Sequence, residues 1–403
     1  MTTIAKTDAA KRDERRALSV ASGAHALHDG YTDLIYVMLP IWQAEFGLSY
    51  AAVGVLRAVF AGMMAGFQIP AGYLSERFGP VLILAGGTAL AGLGYCLAGL
   101  SGGFATLVIA LLIGGLGASA QHPIASALVA RAFAGPRSLK ALGGYNFAGD
   151  IGKMTIPALA ALMIAVMPWR MSLLLLGLVG FAAALAIVFW TPRFASERFA
   201  QAPKPENEPP LSARTPRHAF PILLAIGIID SATRMGFLTF LPFILAAKGA
   251  SLPVIGIALT LVFAGGAVGK LVCAFIGARI GVIGTVFLTE IMTLILILAV
   301  LPLSIEATLL LLPVLGIALN GTSSVLYGSV PELVAPERRA RAFGIFYTGT
   351  IGAGAIAPIL YGLVSDAIGL TGGVVLVGAL VILTLPLAVV LRPAFQRQSP
   401  SAA

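Results

Sequence analysis

Long apolar stretches recur along this chain, and each is bounded by proline, glycine or charged side chains. A helix of about 20 apolar residues spans the ~30 Å hydrocarbon core of a bilayer, so these stretches predict transmembrane helices. Backbone polar groups in lipid must be satisfied within the helix, which excludes an open sheet. With 58% hydrophobic and 11% charged residues, the chain is too apolar for a soluble globular protein. We therefore expect an all-α integral membrane protein.

We predict twelve spans in two sets of six. The first set covers residues 18–42, 50–75, 81–100, 104–130, 139–166 and 170–191. The second set covers residues 219–247, 252–277, 282–303, 306–333, 340–366 and 371–391. The segment between them is rich in Pro, Glu, Lys and Arg, which is typical of a solvated linker. The predicted organisation is a tail at 1–17, a helical bundle at 18–191, a linker at 192–218, a second bundle at 219–391 and a tail at 392–403.

The distribution of basic residues predicts the orientation of these spans. Most of the 26 Lys and Arg residues fall on the side that holds both termini and the linker, whereas the opposite loops hold Arg170 and Lys248. By the positive-inside rule, the termini and the linker are cytoplasmic. The net charge of +9 is therefore a sign of membrane orientation and does not indicate a nucleic-acid partner.

The two halves repeat short sequences in the same order and with nearly constant spacing. Val59–Gly62 recurs as Val262–Gly265, and Met38–Pro40 is matched by Phe240–Pro242. Internal symmetry of this kind is common among secondary transporters. The sequence thus predicts two six-helix bundles of one design.

A glycine-rich turn between the second and third spans resembles the cytoplasmic signature of the major facilitator superfamily. Its matching residues are Gly72, Leu74, Glu76, Arg77 and Gly79. The resemblance covers nearly the whole chain. It implies twelve helices in two pseudo-symmetric bundles, transport by alternating access, and a gate at this turn in which an acid and an arginine hold neighbouring helix ends.

Three further stretches resemble the fosmidomycin-resistance-like transporters of bacteria. They are His25–Pro40, Gly114–Pro123 and Gly149–Gly152 together with Pro157. In the third, Asp150 replaces the asparagine of the family pattern and Lys153 is added. Because these departures fall where a substrate would be bound, we do not carry over the family's substrate. The resemblance implies a bacterial inner-membrane location.

Ionisable side chains inside the predicted spans form two layers. Counted at 1.5 Å per residue, Asp29, Asp150 and Asp230 lie about 16 Å from the cytoplasmic helix ends, near the middle of the ~30 Å core. A second layer at about 22 Å holds Asp33, Arg57, Lys153 and Arg234. Ionisable groups at this depth are costly and mark functional sites by default.

These layers predict a mixed-charge site in which cations bind an anionic substrate and acids carry protons. Histidine is the residue type suited to relay protons near neutral pH, which makes His122 and His25, four residues before Asp29 on one helix face, candidates for that role. The candidate substrate-binding residues are Arg57, His122, Asn146, Lys153 and Arg234. The candidate proton-coupling residues are His25, Asp29, Asp33, Asp150 and Asp230.

The alternative interpretation is that the charges neutralise one another. Asp150 with Lys153, Asp230 with Arg234, and Asp33 with Arg57 could each form a structural ion pair. For Lys270 and Glu290, on consecutive spans, we favour the structural interpretation.

The sequence predicts a proton-coupled secondary transporter that exports a small anionic or zwitterionic compound, such as a phosphonate-like drug or an organic acid. The alternatives are an uptake symporter for an organic anion and a receptor or scaffold that transports nothing. No metal site, nucleotide loop or catalytic constellation is recognised, so we expect no enzyme activity and no cofactor beyond the proton gradient. The expected partners are a small-molecule substrate, protons and the lipid bilayer, with the protein as a monomer.

Overall fold

A computed structural model describes residues 8–133, 136–192, 218–335 and 338–396. Throughout these ranges the regular elements are helices joined by short turns. Most of the predicted linker, the first seven residues and the last seven lie outside the described residues.

The first half begins with a helix longer than its predicted span. It starts at Asp8 and continues through the polar tail into the membrane, so the tail and the first span form one helix. The helices of this half are α1 (Asp8–Phe46), α2 (Tyr50–Gly66), α3 (Gln68–Phe78), α4 (Pro80–Gly99), α5 (Phe104–Ala118), α6 (Gln121–Ala132), α7 (Pro136–Val166) and α8 (Trp169–Trp190).

The second half contains two long helices that are each divided by a glycine with positive φ. Gly281 divides α10 and Gly369 divides α12, and we call the parts before and after each glycine the first and second limbs. A 3-10 turn, Val381–Leu383, precedes the last helix. The helices of this half are α9 (Ala219–Ala247), α10 (Leu252–Val300), α11 (Ile305–Leu333), α12 (Arg339–Leu380) and α13 (Thr384–Gln396).

Within the described residues, nine helical segments are long and apolar enough to cross a membrane, or ten if α2 and α3, bent by 42°, form one span. The helix α1 is not among them, because its charged and polar side chains lower its mean hydropathy. The segment Arg341–Phe395 counts as one candidate although it contains the break at Gly369. The prediction of an all-helical, multi-span membrane protein is confirmed, whereas the count of twelve is not reproduced by this criterion.

The helices group into two compact units that largely follow the predicted halves. The first unit holds the described residues of Met1–Val37 and Val59–Ala202, and the second those of Met38–Ala58 and Pro203–Ala403. The end of α1 and the start of α2 therefore belong to the second unit.

Within the second unit, a carboxylate of α12 is hydrogen-bonded to the start of α2. Asp366 accepts hydrogen bonds from the backbone N–H groups of Tyr50 (2.7 Å) and Ala51 (2.9 Å). The first N–H groups of a helix have no partner within the helix, and the helix dipole there favours negative charge. Asp366 thus caps α2, and the Tyr50 ring packs against Phe243.

The repeat seen in the sequence is also present in the backbone. Gly79 and Gly281 both have positive φ (94° and 76°), and so do Gly47 and Gly249 (60° and 86°). The members of both pairs are separated by the same number of residues. Because L side chains rarely adopt this conformation, each pair marks one turn used twice.

The two basic residues predicted on the less basic side have equivalent structural roles. Arg170 donates to the carbonyl of Ser101 (3.3 Å), just after α4 ends. Lys248 donates to the carbonyls of Val300 and Leu303, at the end of α10. A cation at a helix C-terminus satisfies free carbonyls and complements the dipole.

Candidate functional site

Three basic residues of the first unit converge on a single carboxylate. Asp29, on α1, is 7% exposed. Its Oδ2 lies 3.3 Å from His25 Nε2 and 3.4 Å from Lys153 Nζ, and its Oδ1 lies 3.6 Å from His122 Nε2. We call these four residues the Asp29 cluster. The sequence named all four among the candidate residues of a larger mixed-charge site, and the structure brings these four together.

Glycines on α7 allow this cluster to form. A Cβ atom at Gly149 would lie 2.7 Å from both Asp29 Oδ2 and His25 Nε2, and one at Gly152 would lie 1.9 Å from the carbonyl oxygen of Ala26. Contacts this short are not tolerated, so both positions require glycine. The sequence motif Gly149–Gly152 therefore sets the close approach of α7 to α1.

The hydrogen bond of His25 to Tyr145 leaves the other ring nitrogen, Nε2, facing Asp29. Its Nδ1 is 2.9 Å from the carbonyl oxygen of Tyr145, and the two rings stack with centroids 4.1 Å apart. A carbonyl oxygen only accepts, so Nδ1 carries a hydrogen. Nε2, which faces Asp29, then contacts the carboxylate favourably only if a second hydrogen lies between them. Either His25 is an imidazolium or Asp29 is protonated.

Two buried side chains behind the cluster were not predicted from the sequence. Gln121, adjacent to His122, is fully buried, and its Nε2 donates to the hydroxyl of Tyr145 (3.0 Å). Tyr145 in turn supports the His25 ring. A polar residue beside the His122–Pro123 pair was the available signal for Gln121, whereas Tyr145 is recognisable only from the packing of α7 on α1.

His28 has a structural role outside the cluster. Its Nε2 lies 2.9 Å from Thr88 Oγ1, and that hydroxyl donates to the carbonyl of Leu84 (2.8 Å). The hydroxyl hydrogen is thus in use, so His28 Nε2 is the donor to Thr88. This bond ties α1 to α4.

Part of the cluster has the composition of a metal site. His25, Asp29 and His122 present three ligand atoms within 4.8 Å of one another. However, the ammonium of Lys153 lies 3.4 Å from the same carboxylate and supplies the positive charge that a divalent cation would bring. A divalent metal ion at this position would therefore be repelled by the ammonium of Lys153.

The other predicted residues of these layers are divided between the units. Asp33 and Asp150 are buried in the first unit, and Asn146, one turn before Asp150, is exposed. Arg57 is buried in the second unit. The ammonium of Lys153 contacts Asp29, so a structural pair with Asp150 does not describe its whole environment.

In the second unit, Asp230 and Arg234 are connected through a serine. Arg234 donates to Ser323 Oγ (2.9 Å), and that hydroxyl donates to Asp230 Oδ2 (3.0 Å). These residues bring α9 and α11 together. The predicted pairing along one helix is therefore indirect.

The expected ion pair between Lys270 and Glu290 stays a prediction. Lys270 is exposed on the first limb of α10, whereas Glu290 is 1% exposed on the second limb. The carboxyl of Glu290 interacts directly with that of Asp230. Placing residues by depth alone could not show that the two side chains point in different directions.

The predicted gate motif forms the turn between α3 and α4. Gly79 has φ 94°, and the Gly72 carbonyl accepts from Ser75 Oγ (2.7 Å). Arg77 stacks on the ring of Phe78 at 5.3 Å, while Leu74 and Glu76 are exposed. Neither Glu76 nor Arg77 forms an ion pair with any residue that the structure describes. The glycine turn is thus present, and the charged lock stays a prediction.

Two comparisons relate this chain to known sequences. The sequence profile described as Major Facilitator Superfamily matches residues 21–227 and 222–403. The fosmidomycin resistance protein of Escherichia coli (strain K12) is 26% identical over 361 residues, which cover 87% of this chain and 86% of that protein. A protein of Cupriavidus necator described as "probable sulfoacetate transporter" is 25% identical over 382 residues, covering 86% and 87% respectively.

The fold is also similar to that of a solved structure. A crystal structure of a bacterial homologue of the human lysosomal transporter Spinster, in an inward-facing and occupied conformation, matches with a TM-score of 0.79. The match covers 96% of this chain and 98% of the other, at 16% sequence identity. At that identity, the similarity concerns the fold alone.

Proposed function

The chain belongs to the Major Facilitator Superfamily and is a transporter rather than an enzyme, and from this premise we propose that it moves a small organic anion together with a proton. The observation that carries the proposal is the convergence of His25, His122 and Lys153 on Asp29. Three nitrogen groups around one carboxylate make a site that can bind another anion once that carboxylate is neutral.

Proton uptake by Asp29 would prepare the site for the substrate. While Asp29 is ionised, its charge balances the ammonium of Lys153 at 3.4 Å. When a further proton binds between Asp29 and His25, these two residues together become neutral, and the ammonium of Lys153 loses its counter-ion. An unbalanced charge inside a membrane protein is costly, so an anionic substrate stabilises this state. Proton and anion therefore favour each other's binding, which is the requirement for symport.

The relatives support an organic anion as the substrate class. One is named for sulfoacetate and another for resistance to fosmidomycin. A carboxylate, sulfonate or phosphonate group is suited to bind Lys153 as a point charge, with His122 as a second donor. This class agrees with the expectation from the sequence.

The name of the resistance protein favours a second candidate, proton-driven export by antiport. In antiport, the proton and the substrate exclude one another. The Asp29 cluster instead makes the anion and the Asp29 carboxylate compete for the same cations. We therefore place symport ahead of the export that the sequence first suggested.

The proposal includes a place and an energy source. We infer a multi-pass monomer in the bacterial inner membrane, with both termini cytoplasmic, that is driven by the proton gradient without an organic cofactor. The basic tail and the absence of a recognised nucleotide loop in the sequence support these points.

Purified protein in liposomes tests the proposal with radiolabelled sulfoacetate as the probe. Under a pH gradient that is acidic outside, symport accumulates sulfoacetate above its external concentration, whereas antiport drives preloaded sulfoacetate out. Fosmidomycin serves as a second probe. Movement of both compounds that does not respond to the pH gradient would contradict proton coupling.

Substitution of Asp29 by Asn separates coupling from binding. The amide is uncharged and cannot take up the proton, so we expect the accumulation ratio to fall to about one at any pH gradient. Exchange of labelled for unlabelled sulfoacetate should continue, since His122 and Lys153 remain. Asp8→Asn, at the exposed start of the same helix, is the matched control and should behave as the wild type. Gradient-driven accumulation by Asp29→Asn would exclude Asp29 as the coupling residue.

A further inference from the structure

A second group of buried ionisable residues lies in the second unit, away from the Asp29 cluster. Asp230 on α9 is 6% exposed and Glu290 on the second limb of α10 is 1% exposed. Their carboxyl groups interact directly with one another. Two carboxylates repel and have no hydrogen to share, so this contact requires one proton on the pair.

The neighbours of Asp230 identify it as the ionised member. It accepts a hydrogen bond from Ser323 Oγ, which accepts in turn from Arg234. The guanidinium keeps its charge under all conditions, so it balances one carboxylate. A second carboxylate at Glu290 would have no such balance.

The neighbours of Glu290 favour its acid form. Thr289 donates to the carbonyl of Thr285 (2.8 Å), and Thr322 donates to Thr289 (2.6 Å). Thr322 also contacts Glu290, so its one hydroxyl hydrogen is divided between Thr289 and the Glu290 carboxyl. Among the described residues, Glu290 Oε1 has no hydrogen-bond partner. An ionised carboxylate in these surroundings would have too few donors, whereas a neutral acid can itself donate.

The cation that hydrogen bonds connect to the pair is Arg234, through Ser323. On α10, Lys270 is exposed and Cys273 is a buried thiol that lies against Gly321 of α11. On α12, the ring of Tyr361 packs at Gly236, and Arg392 of α13 is exposed. Arg234 thus sets the charge balance of the pair.

We propose that Asp230 and Glu290 form a second proton-binding site, which holds one proton between the two carboxyl groups and exchanges it once in each transport cycle. The first unit then carries one proton at Asp29 and the second unit carries another. The role in the cycle rests on the proposed function, because an exchangeable proton drives transport only in a coupled transporter. The existence of the site does not depend on it.

Infrared spectroscopy of the purified protein in lipid tests the site directly, since a protonated carboxyl absorbs separately from a carboxylate. We expect a protonated-carboxyl band at neutral pH that loses the intensity of one carboxyl group in Glu290→Gln and that weakens at alkaline pH in the wild type. Glu306→Gln, at the exposed start of α11, is the matched control and should keep the band. An unchanged band in Glu290→Gln would overturn the proposal.

A shorter acid covers the case in which Glu290→Gln does not fold. Glu290→Asp keeps a carboxyl group but changes its distance from Asp230, so the band should shift in frequency and remain. A band that neither shifts nor disappears in this variant would show that the proton is held elsewhere.

The number of protons carried with sulfoacetate tests the role of the pair. In liposomes at zero membrane voltage, the sulfoacetate gradient that stops net flux at a given pH gradient reports this number. We expect two protons for each anion in the wild type and one in Glu290→Gln. Equal numbers in both proteins would show that the proton of the pair does not take part in the cycle. If pH never affects wild-type transport, the proposed function fails while the infrared result stands.

Discussion

Gly149 has only a hydrogen atom where any other residue would place its Cβ atom against the Asp29 cluster. A Cβ atom there would lie 2.7 Å from the side chains of both Asp29 and His25. The substitution Gly149→Ala therefore forces α7 away from α1 or turns these side chains out of place. Small residues at such helix contacts are the usual means of close packing in membranes.

We expect Gly149→Ala to abolish gradient-driven sulfoacetate accumulation. Gly144, on the same helix, has no atom within 4 Å of an added Cβ atom. Gly144→Ala is therefore the control, and its higher helix propensity makes it neutral or stabilising by about 1 kcal/mol. Transport assays and thermal unfolding of both proteins provide the measurement. Wild-type accumulation by Gly149→Ala would show that the close approach of the two helices is unnecessary.

Residue types and spacing were enough to name the four residues of the Asp29 cluster as candidates, but not to group them together. His25 and Asp29 are four residues apart on one face of one helix. Ionisable groups in an apolar span are energetically costly and are therefore usually functional. The direction in which a side chain points across a helix contact is not contained in its spacing. Glu290 illustrates this, because its depth matches that of Lys270 but its carboxyl faces α9.

At the scale of the helices, the cap on α2 links two elements that are far apart in the chain. The Asp366 carboxylate accepts from two backbone N–H groups of α2, where the helix dipole adds a favourable interaction. The sequence suggested no role for Asp366, because capping by a distant residue leaves no local pattern. Local caps such as Ser304, which accepts from Ala307, do follow a sequence rule.

We expect Asp366→Ala to destabilise the protein by about 1 kcal/mol, the usual effect of losing a helix cap. Asp366→Asn keeps an acceptor without the charge and should lower the melting temperature by less. Asp8→Ala, whose carboxylate is fully exposed, serves as the control. Thermal unfolding in detergent compares the three variants. Equal melting temperatures in all of them would mean that the cap contributes nothing to stability.

The helix boundaries were predictable where a turn carries a characteristic residue. Gly79 and Gly281 end their helices at equivalent positions, although the second copy of the surrounding motif is degenerate in sequence. The two turns therefore share the backbone conformation of the glycine, although their other residues differ. The bend between α2 and α3 lies between Gly66, the last residue of α2, and Pro70, in the first turn of α3. Because Pro70 has no N–H to donate to the Gly66 carbonyl, one predicted span appears as two helices.

For the whole molecule, the distribution of basic residues makes a prediction about orientation. The positive-inside rule places both termini in the cytoplasm and the turn between α9 and α10 on the opposite side. Alkaline phosphatase folds only outside the cytoplasm. We expect it to be inactive when fused to the C-terminus and active when inserted near Gly249 in that turn. A green fluorescent protein fused to the C-terminus should fluoresce, and the opposite pattern would invert the orientation.

The repeat predicts the division into two bundles but not where the chain passes between the compact units. The sequence break at the linker suggested units that begin and end there. The segment Met38–Ala58 nevertheless groups with the second unit, partly through the contacts of Tyr50 with Asp366 and Phe243. Spacing along the chain contains no information about such contacts, because they form between segments that are distant in sequence.

The bond from His25 Nδ1 to the Tyr145 carbonyl limits how protons can travel. A histidine that conducts protons receives one at the first nitrogen and releases one at the second, so both nitrogens must be open. Here Nδ1 is bonded to a carbonyl oxygen, and the stacked Tyr145 ring restrains rotation of the imidazole. In the proposed cycle, His25 therefore does not pass a proton from one nitrogen to the other: a proton that binds at Nε2 is released again from Nε2. Protons would then enter and leave the Asp29 cluster from the same side, where His122 and Lys153 lie.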